Sequence, residues 1–116
     1  MIRSKLRFSN RAIQDIEQVL AYTLTQFGDS KYEEYKELIR KALTDIAADP
    51  NRRPARRRPE LHRDAWTFHI ARRGKRARHF FLYRVMGEEF IDVGRLLHDS
   101  MDLEGNLPDG FDALES

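Results

Sequence analysis

The sequence predicts an α+β fold, a two-layer sandwich in which a helical hairpin covers one face of an antiparallel sheet. Apolar residues recur at helical spacing in two stretches between residues 10 and 48, and they alternate in three stretches between 65 and 97. A short N-terminal strand precedes the helices, so the predicted order is strand, α-helical hairpin and three-stranded β-meander. The length of 116 residues fits a single domain, which we expect at 1–103, followed by an acidic tail at 104–116.

The N-terminal part begins with a strand and a first helix. Apolar and basic residues alternate over residues 2–8, which is typical of a strand. Ser9 and Asn10 offer side-chain oxygens for a helix N-cap. A helical stripe follows and reaches the expected stop at Gly28; its members are Ile13, Ile16, Leu20, Leu24 and Phe27.

The second helix is predicted from a capping box and a second apolar stripe. Ser30 is followed three residues later by Glu33, the spacing of a capping box. Asp49-Pro50 ends the helix. The stripe between them would share one apolar face with the first helix; its members are Tyr35, Leu38, Ile39, Ala42, Leu43 and Ile46.

The C-terminal half predicts three consecutive strands. Residues 51–59 are an Arg- and Pro-rich linker, 65–71 a strand, and 72–78 a basic hairpin loop. Strands at 79–85 and 90–97 follow, with a turn around Gly87. Alternation in the 79–85 strand places Phe80, Leu82 and Arg84 on the face away from the helices. That face is either an open binding surface or an apolar strip covered by the linker or the tail.

Composition excludes several classes of protein. The absence of cysteine excludes disulfides and thiolate metal sites, and it suits a cytoplasmic protein. The N-terminus lacks the apolar region of a secretory signal. No apolar run approaches the ~20 residues of a membrane span, so we expect no membrane association.

Charge is distributed unevenly along the chain. Residues 52–78 contain eleven Lys or Arg and two acids, formally +9, whereas the remainder is formally −7. Such a basic region suits an anionic partner. The aromatic residues lie in the predicted strands and not among the basic loops, which is unlike direct nucleic-acid modules. A solvated face is therefore favoured first, a dock for an acidic protein second, and direct nucleic-acid binding third.

Candidate chemistry is sparse. The four histidines lack the helical spacing of a metal site, so we expect no metal. His98, Ser100 and Asp102 stand too close in sequence for the geometry of a triad. A metal-free nuclease would need cations on the phosphate and a proton carrier, roles open to Arg84, Arg95 and His98. Alternatively, the two arginines pair with acids such as Asp92.

A series of motifs resembles the ParE branch of the RelE/ParE superfamily, the toxins of bacterial type II toxin–antitoxin operons. The motifs are the S-x-x-A-x-x-D-I run at 9–16, the AYTLTQFG stretch at 21–28, Asp49-Pro50, and R-P-E-L at 58–61. A strand ending Y-R-V at 83–85 and the segment GRLLHDSMD at 94–102 complete them. Together they cover roughly residues 6–103.

The resemblance implies a non-enzymatic, cofactor-free toxin that poisons DNA gyrase. It also implies a hetero-oligomer with a ParD-like antitoxin, whose acidic amphipathic segment wraps the toxin. We expect two sets of contact residues. The antitoxin would bind Phe80, Leu82, Arg84, Arg95, Arg76 and Arg78, and the target would bind Arg72, Arg73, Lys75 and His98.

The alternative is a RelE-like, ribosome-dependent messenger RNase. Arg84 matches the position of a sheet arginine in those enzymes. However, Ser100-Met101-Asp102 stands where a second basic residue is expected, and residues 103–116 contain no Tyr, His, Lys or Arg. The second cation and the late acid–base group that an RNase requires are thus missing. His98 is the remaining candidate for the acid–base group.

Overall fold

The computed structural model describes residues 4–72 and 75–99. The chain forms a five-stranded sheet in the order β1-β5-β4-β3-β2, with both helices on one face. The elements are β1 (Lys5–Phe8), α1 (Asn10–Phe27), α2 (Asp29–Ala48), β2 (Arg56–Arg57), β3 (Ala65–Arg72), β4 (Lys75–Met86) and β5 (Phe90–His98). The predicted α+β class is confirmed. No helix in the described part has the length and apolar character to cross a membrane.

The sheet is mixed and not purely antiparallel. β3, β4 and β5 form the predicted antiparallel meander, but β1 pairs with β5 in parallel, with Leu6 opposite Ile91. Backbone hydrogen bonds from Lys5 N to the Glu89 oxygen (2.7 Å) and from Ser9 N to the Val93 oxygen (3.0 Å) hold the two ends of this pairing. The N-terminal strand is therefore an edge of the sheet.

Ser9 caps α1 and also ties it to the sheet. Its Oγ accepts a hydrogen bond from the Ala12 amide at 3.0 Å and donates one to the Gly94 carbonyl at 2.7 Å. The predicted N-cap is confirmed. At the other end Gly28 has φ of 88°, a left-handed conformation that favours glycine, and this single residue connects α1 to α2.

The capping box predicted at Ser30 is wrong. α2 begins at Asp29, Gly28 occupies its N-cap, and no side chain caps the helix. A one-residue connection leaves Ser30 inside the first turn, where it cannot act as the cap. Asp29 in that turn instead interacts favourably with the positive end of the helix.

The core lies between the helices and the sheet, but α1 does not bury the predicted stripe. Ile16 and Leu20 pack against the core, whereas Ile13, Leu24 and Phe27 are exposed. The buried positions of α1 are instead Ala12 and Asp15, because the helix is rotated to bring a carboxylate towards the sheet. The buried side chains of the remaining core are Ile39, Ala42, Ile46, Phe68, Ile70, Phe81, Tyr83, Ile91, Val93 and Leu96.

Two loop predictions also differ from the structure. The basic loop predicted at 72–78 is largely strand, because β3 continues to Arg72 and β4 already starts at Lys75. The 51–59 linker contains β2, whose Arg56 and Arg57 pair with Thr67 and Trp66. Main-chain pairing thus extends the sheet into sequence that local composition assigned to loops.

Candidate functional site

The sheet face away from the helices has a charged ladder across three strands. The Arg7 Nε donates to Asp92 Oδ1 at 2.6 Å, and the Arg84 Nη2 lies 3.7 Å from Asp92 Oδ2. One carboxylate between two guanidinium groups leaves the ladder with a net positive charge. The Arg7 side chain is half exposed and the Arg84 side chain is 19% exposed, so an anionic group from solution reaches this ladder mainly through Arg7.

The apolar part of the same face is covered and not open. Leu82 is fully buried in a small cluster with Leu61 and Ala65, and Phe80 is 7% exposed with its ring 5.0 Å from that of His69. Leu61, which covers Leu82, comes from the segment between β2 and β3, just beyond the 51–59 linker, so Leu82 lies in a covered apolar strip. A partner can therefore reach the rim of this face, whereas contact with Leu82 requires that segment to move.

Arg95 points towards the helices because of a β-bulge. Leu82 pairs with Arg95 while Tyr83 pairs with Val93, so Gly94 is an extra residue in β5. The bulge changes the alternation and places the Arg95 guanidinium against Asp15 of α1, with Nε–Oδ2 at 2.7 Å and Nη2–Oδ1 at 3.2 Å. Both side chains are more than nine-tenths buried. As it stands, Arg95 is part of the interior and is not on the surface that we expected to bind an antitoxin.

A cluster of titratable groups occupies the end of the sheet on the helix side. The Tyr35 hydroxyl and the His79 Nδ1 are 2.6 Å apart, and the His79 and His98 rings meet edge to face at 5.2 Å. Burial lowers the pKa of His79 to about 4, the nearby His98 lowers it as well, and Asp99 acts in the opposite direction. His79 is thus neutral at physiological pH and serves as a hydrogen-bonding partner of Tyr35.

The opposite side of this sheet end has a second pair. The His69 Nε2 lies 3.1 Å from Asp99 Oδ1, and the Asp99 amide donates to the Arg78 carbonyl at 2.8 Å. The last described residue is therefore bound across β4 to β3. His69, His79 and His98 belong to the three neighbouring strands β3, β4 and β5, and His69 is paired with Phe80 and not with His79.

These groups do not assemble into a metal site in the described part of the chain. No cluster of three or more His, Asp or Glu side chains there has the arrangement of ligands. Ser100 and Asp102, the other members of the triad considered above, lie outside the described residues.

The predicted contact residues are distributed over different parts of the sheet. Arg78 is exposed at the His98 end of β4, next to Asp99. Arg72 ends β3, Lys75 and Arg76 begin β4, and Arg73 lies outside the described residues, as does the acidic tail. The structure thus brings Arg78 and His98 together at one sheet end, places Arg84 nearer the other end of β4, and separates both from Arg95.

Part of the apolar stripe of α1, which the sequence assigned to an apolar face shared with α2, is exposed in the structure. The exposed fractions are 44% for Ile13, 41% for Leu24 and 63% for Phe27, and Tyr22 beside Phe27 is 62% exposed. The feature of the sequence that indicates this exposed apolar surface is the absence of any charged residue from 18 to 28. An exposed helix that only meets water normally has charged residues on its outer face.

Comparison with known proteins identifies the family. The sequence profile of the family described as ParE toxin of type II toxin-antitoxin system, parDE, matches residues 6–103. The chain belongs to the ParE toxin family. Toxin ParE1 of Mycobacterium tuberculosis, from strains CDC 1551 / Oshkosh and ATCC 25618 / H37Rv, is 32% identical over 104 residues, which are 90% of this chain and 98% of the relative.

A solved structure agrees with the ParE fold. The chromosomal ParDE TA system from P. aeruginosa contains a chain that superimposes with a TM-score of 0.65 at 17% identity, covering 83% of this chain and 96% of that one. At this identity the likeness concerns the fold alone. It includes almost the whole of the other chain, so the strand, helical hairpin and sheet described above are the shared architecture.

Proposed function

We propose that this ParE-family chain is a non-enzymatic toxin that inhibits DNA gyrase and is neutralised by a ParD-like antitoxin. Membership of the family over residues 6–103 is the observation that carries the proposal. The solved relative belongs to a system that contains ParD as well as ParE, which supports an antitoxin as partner.

The carboxylate contacts of Arg84 and Arg95 favour a binding function over RNA cleavage. A metal-free RNase needs cations that are free to stabilise charge on the phosphate. Arg95 is buried against Asp15, and Arg84 lies beside Asp92. Stabilising a phosphate would require each guanidinium to exchange a carboxylate that it already contacts.

The histidines lead to the same conclusion. His79 has a pKa of about 4 and is engaged by Tyr35, so it is a poor proton donor near neutral pH. His98 lies edge-on to His79 and on the helix side of the sheet, whereas Arg84 lies on the other side. A phosphate on one face of the sheet cannot contact both residues in the arrangement that an RNase requires.

The antitoxin surface that we propose is the positively charged edge of the sheet face that points away from the helices. Arg78 is exposed, the Arg84 side chain is 19% exposed, and Phe80, which is 7% exposed, lies between them along β4. An acidic segment would gain charge-assisted hydrogen bonds there. We propose that the target binds His98 and the basic segment 72–78, which lie at the same end of the sheet as Arg78.

The direct test is a gyrase supercoiling and DNA-cleavage assay with titrated purified protein. Loss of supercoiling or accumulation of cleaved DNA is the expected result. No effect from folded protein, together with cleavage of ribosome-bound messenger RNA that His98→Gln abolishes, would instead establish the RNase alternative.

The antitoxin surface has its own test. Arg78→Glu and Arg84→Glu should each weaken antitoxin binding at least about tenfold by calorimetry, because each reverses a charge that faces the acidic segment. Arg40→Glu, on the exposed side of α2, is the matched charge reversal and should leave affinity unchanged. If all of these variants bind the antitoxin as tightly as the natural chain, the proposed antitoxin surface is wrong.

A further inference from the structure

Four exposed arginines lie at the edge of the sheet that β2 forms. Residues 52–57 contain all four and no acid. None of the four guanidinium groups is within ion-pair distance of a carboxylate that belongs to a described residue. We call this set the edge cluster; its members are Arg52, Arg53, Arg56 and Arg57. The edge cluster therefore has a formal charge of +4 that no contacting carboxylate of the described chain neutralises.

The acids beside the edge cluster are already engaged. Glu60 accepts a hydrogen bond from the Arg58 Nε at 2.8 Å. The Asp64 Oδ2 lies 3.6 Å from the Arg63 Nε. The Asp49 Oδ1 accepts a hydrogen bond from the backbone amide two positions later, at 3.3 Å. These carboxylates balance other arginines or the main chain and leave the edge cluster to an anion from outside the protein.

Backbone hydrogen bonds keep the four arginines together. The Ala55 amide donates to the Arg52 carbonyl at 2.9 Å, a turn that holds the two Cα atoms within about 7 Å of each other. Arg56 and Arg57 pair with β3, so their side chains leave the strand towards opposite faces of the sheet. β2 is the last strand in the sheet order, and no described strand covers its outer side. Guanidinium groups thus flank this edge on both faces.

The composition of this edge favours duplex nucleic acid over a protein segment. A protein partner binds mainly through buried apolar and aromatic anchors, but the large exposed apolar side chains of the described chain all lie on β1 and α1. Single-stranded nucleic acid needs aromatic side chains for base stacking, and the edge lacks them for the same reason. The phosphates of duplex DNA, at about one charge per 1.7 Å of helix axis, require only cations.

We propose that the edge cluster binds the phosphate backbone of duplex DNA without reading its bases. The position of aromatic residues in the strands, which placed nucleic acid third among the expected partners, argues against base stacking and not against phosphate contacts. Arginine suits the role because its planar donors match phosphate oxygens in pairs. The choice of DNA over duplex RNA rests on the proposed gyrase target, an enzyme that acts on duplex DNA.

The edge cluster is separate from the surfaces proposed above. β2 pairs with the start of β3, whereas Arg78 and His98 lie towards the end of β3 on the neighbouring strands. One toxin molecule could therefore contact its target through one end of the sheet and DNA held by that target through the other.

The salt dependence of binding gives the proposal a magnitude. Each phosphate contact contributes about −0.9 to the slope of log affinity against log salt concentration. Four contacts give a slope of about −3.6, so the affinity should fall roughly 100-fold between about 50 and 200 mM salt.

Fluorescence anisotropy with the full chain and a labelled duplex of about 20 base pairs tests the binding. Arg56→Gln combined with Arg57→Gln should weaken binding at least about tenfold at about 100 mM salt and reduce the slope by about 2. Lys36→Gln combined with Arg40→Gln removes the same charge from exposed positions of α2 and should change the affinity less than about twofold. A second duplex of unrelated sequence should bind equally well.

Three results would overturn the proposal. The first is a natural chain that does not bind the duplex at about 50 mM salt, or whose two double variants bind it equally well. The second is tighter binding of poly-L-glutamate that the edge variant abolishes, which would assign the edge to an acidic protein. The third is tighter binding of duplex RNA than of DNA with the same sequence. Because gyrase is absent from this experiment, its failure leaves the gyrase proposal to the supercoiling assay.

Discussion

Replacing Asp15 by alanine tests the role of the buried ion pair between α1 and β5. The Asp15 carboxylate accepts hydrogen bonds from Arg95 Nε at 2.7 Å, Arg95 Nη2 at 3.2 Å and the Leu96 amide at 3.0 Å. The alanine variant removes both carboxylate oxygens, and with them all three hydrogen bonds, and leaves the charge of Arg95 inside the protein without this carboxylate. The expected result is a large loss of stability with the fold otherwise retained.

The magnitude follows from the burial of the pair. Removing one partner of a buried ion pair costs about 3–5 kcal/mol, and the better helix propensity of alanine offsets about 0.5 kcal/mol. Asp15→Ala should therefore lower the free energy of unfolding by about 3–4 kcal/mol. For a domain of this size that corresponds to a decrease in Tm of roughly 12–16 °C.

Urea denaturation followed by circular dichroism measures this loss, with an unchanged slope showing that the unfolded state is unaffected. Asp15→Asn keeps one acceptor for the Leu96 amide and should lose about 2 kcal/mol. Glu17→Ala, on the exposed side of the same helix, should stay within about 0.5 kcal/mol of the natural chain.

A double variant separates the ion pair from other effects of the substitution. Asp15→Leu with Arg95→Met removes both charges and should lose at least about 2 kcal/mol less than the sum of the single variants. A loss below about 1 kcal/mol for Asp15→Ala would refute the reasoning. It would mean that water or another group compensates the charge of Arg95.

Three further predictions concern a cap, a buried hydroxyl and a histidine. Ser9→Ala should lower the free energy of unfolding by about 1–2 kcal/mol, whereas Ser30→Ala, which caps nothing, should stay within about 0.5 kcal/mol, both by urea denaturation. Tyr83→Phe removes a 2.7 Å hydrogen bond to the Pro50 carbonyl and should cost about 1 kcal/mol in the same assay. His79 has a folded pKa of about 4, below its ordinary 6.5, so the unfolded chain takes up the proton first as the pH falls. Stability should therefore be fully present above pH 6.5 and decrease towards pH 4, by about 1–2 kcal/mol after allowance for partial exposure. His79→Phe should flatten the profile in this range, and a profile unchanged by that substitution would contradict the assignment.

Local sequence predicted most of the secondary structure because each signal acts over a few residues. The Ser9 cap, the stop at Gly28 and the end of α2 before Asp49-Pro50 are as predicted. The meander follows from short connections between alternating stretches, which favour antiparallel pairing of strands that are neighbours in the sequence. The prediction failed at Ser30, where a valid capping pattern was overridden by a one-residue connection between helices.

The candidate site was only partly predictable, because burial depends on partners that are distant in sequence. Arg84 lies on the expected sheet face beside Asp92, the carboxylate considered from the sequence. Phe80 and Leu82 lie there too, but Leu61, from the segment between β2 and β3, and Ala65 of β3 cover Leu82. No local pattern states whether a linker folds back onto a sheet.

The sequence by itself determined the α+β class, the order of the first strand, the helical hairpin and the meander, the charge asymmetry and membership of the ParE family. These properties reside in periodicity, composition and motif order, which need no knowledge of the folded chain. Only the tertiary structure decided which side of α1 is buried. A β-bulge at Gly94 directs Arg95 inward to meet Asp15, 80 positions earlier in the chain. Because a buried guanidinium requires a carboxylate, that contact fixes the rotation of α1 and leaves Ile13, Leu24 and Phe27 on the surface.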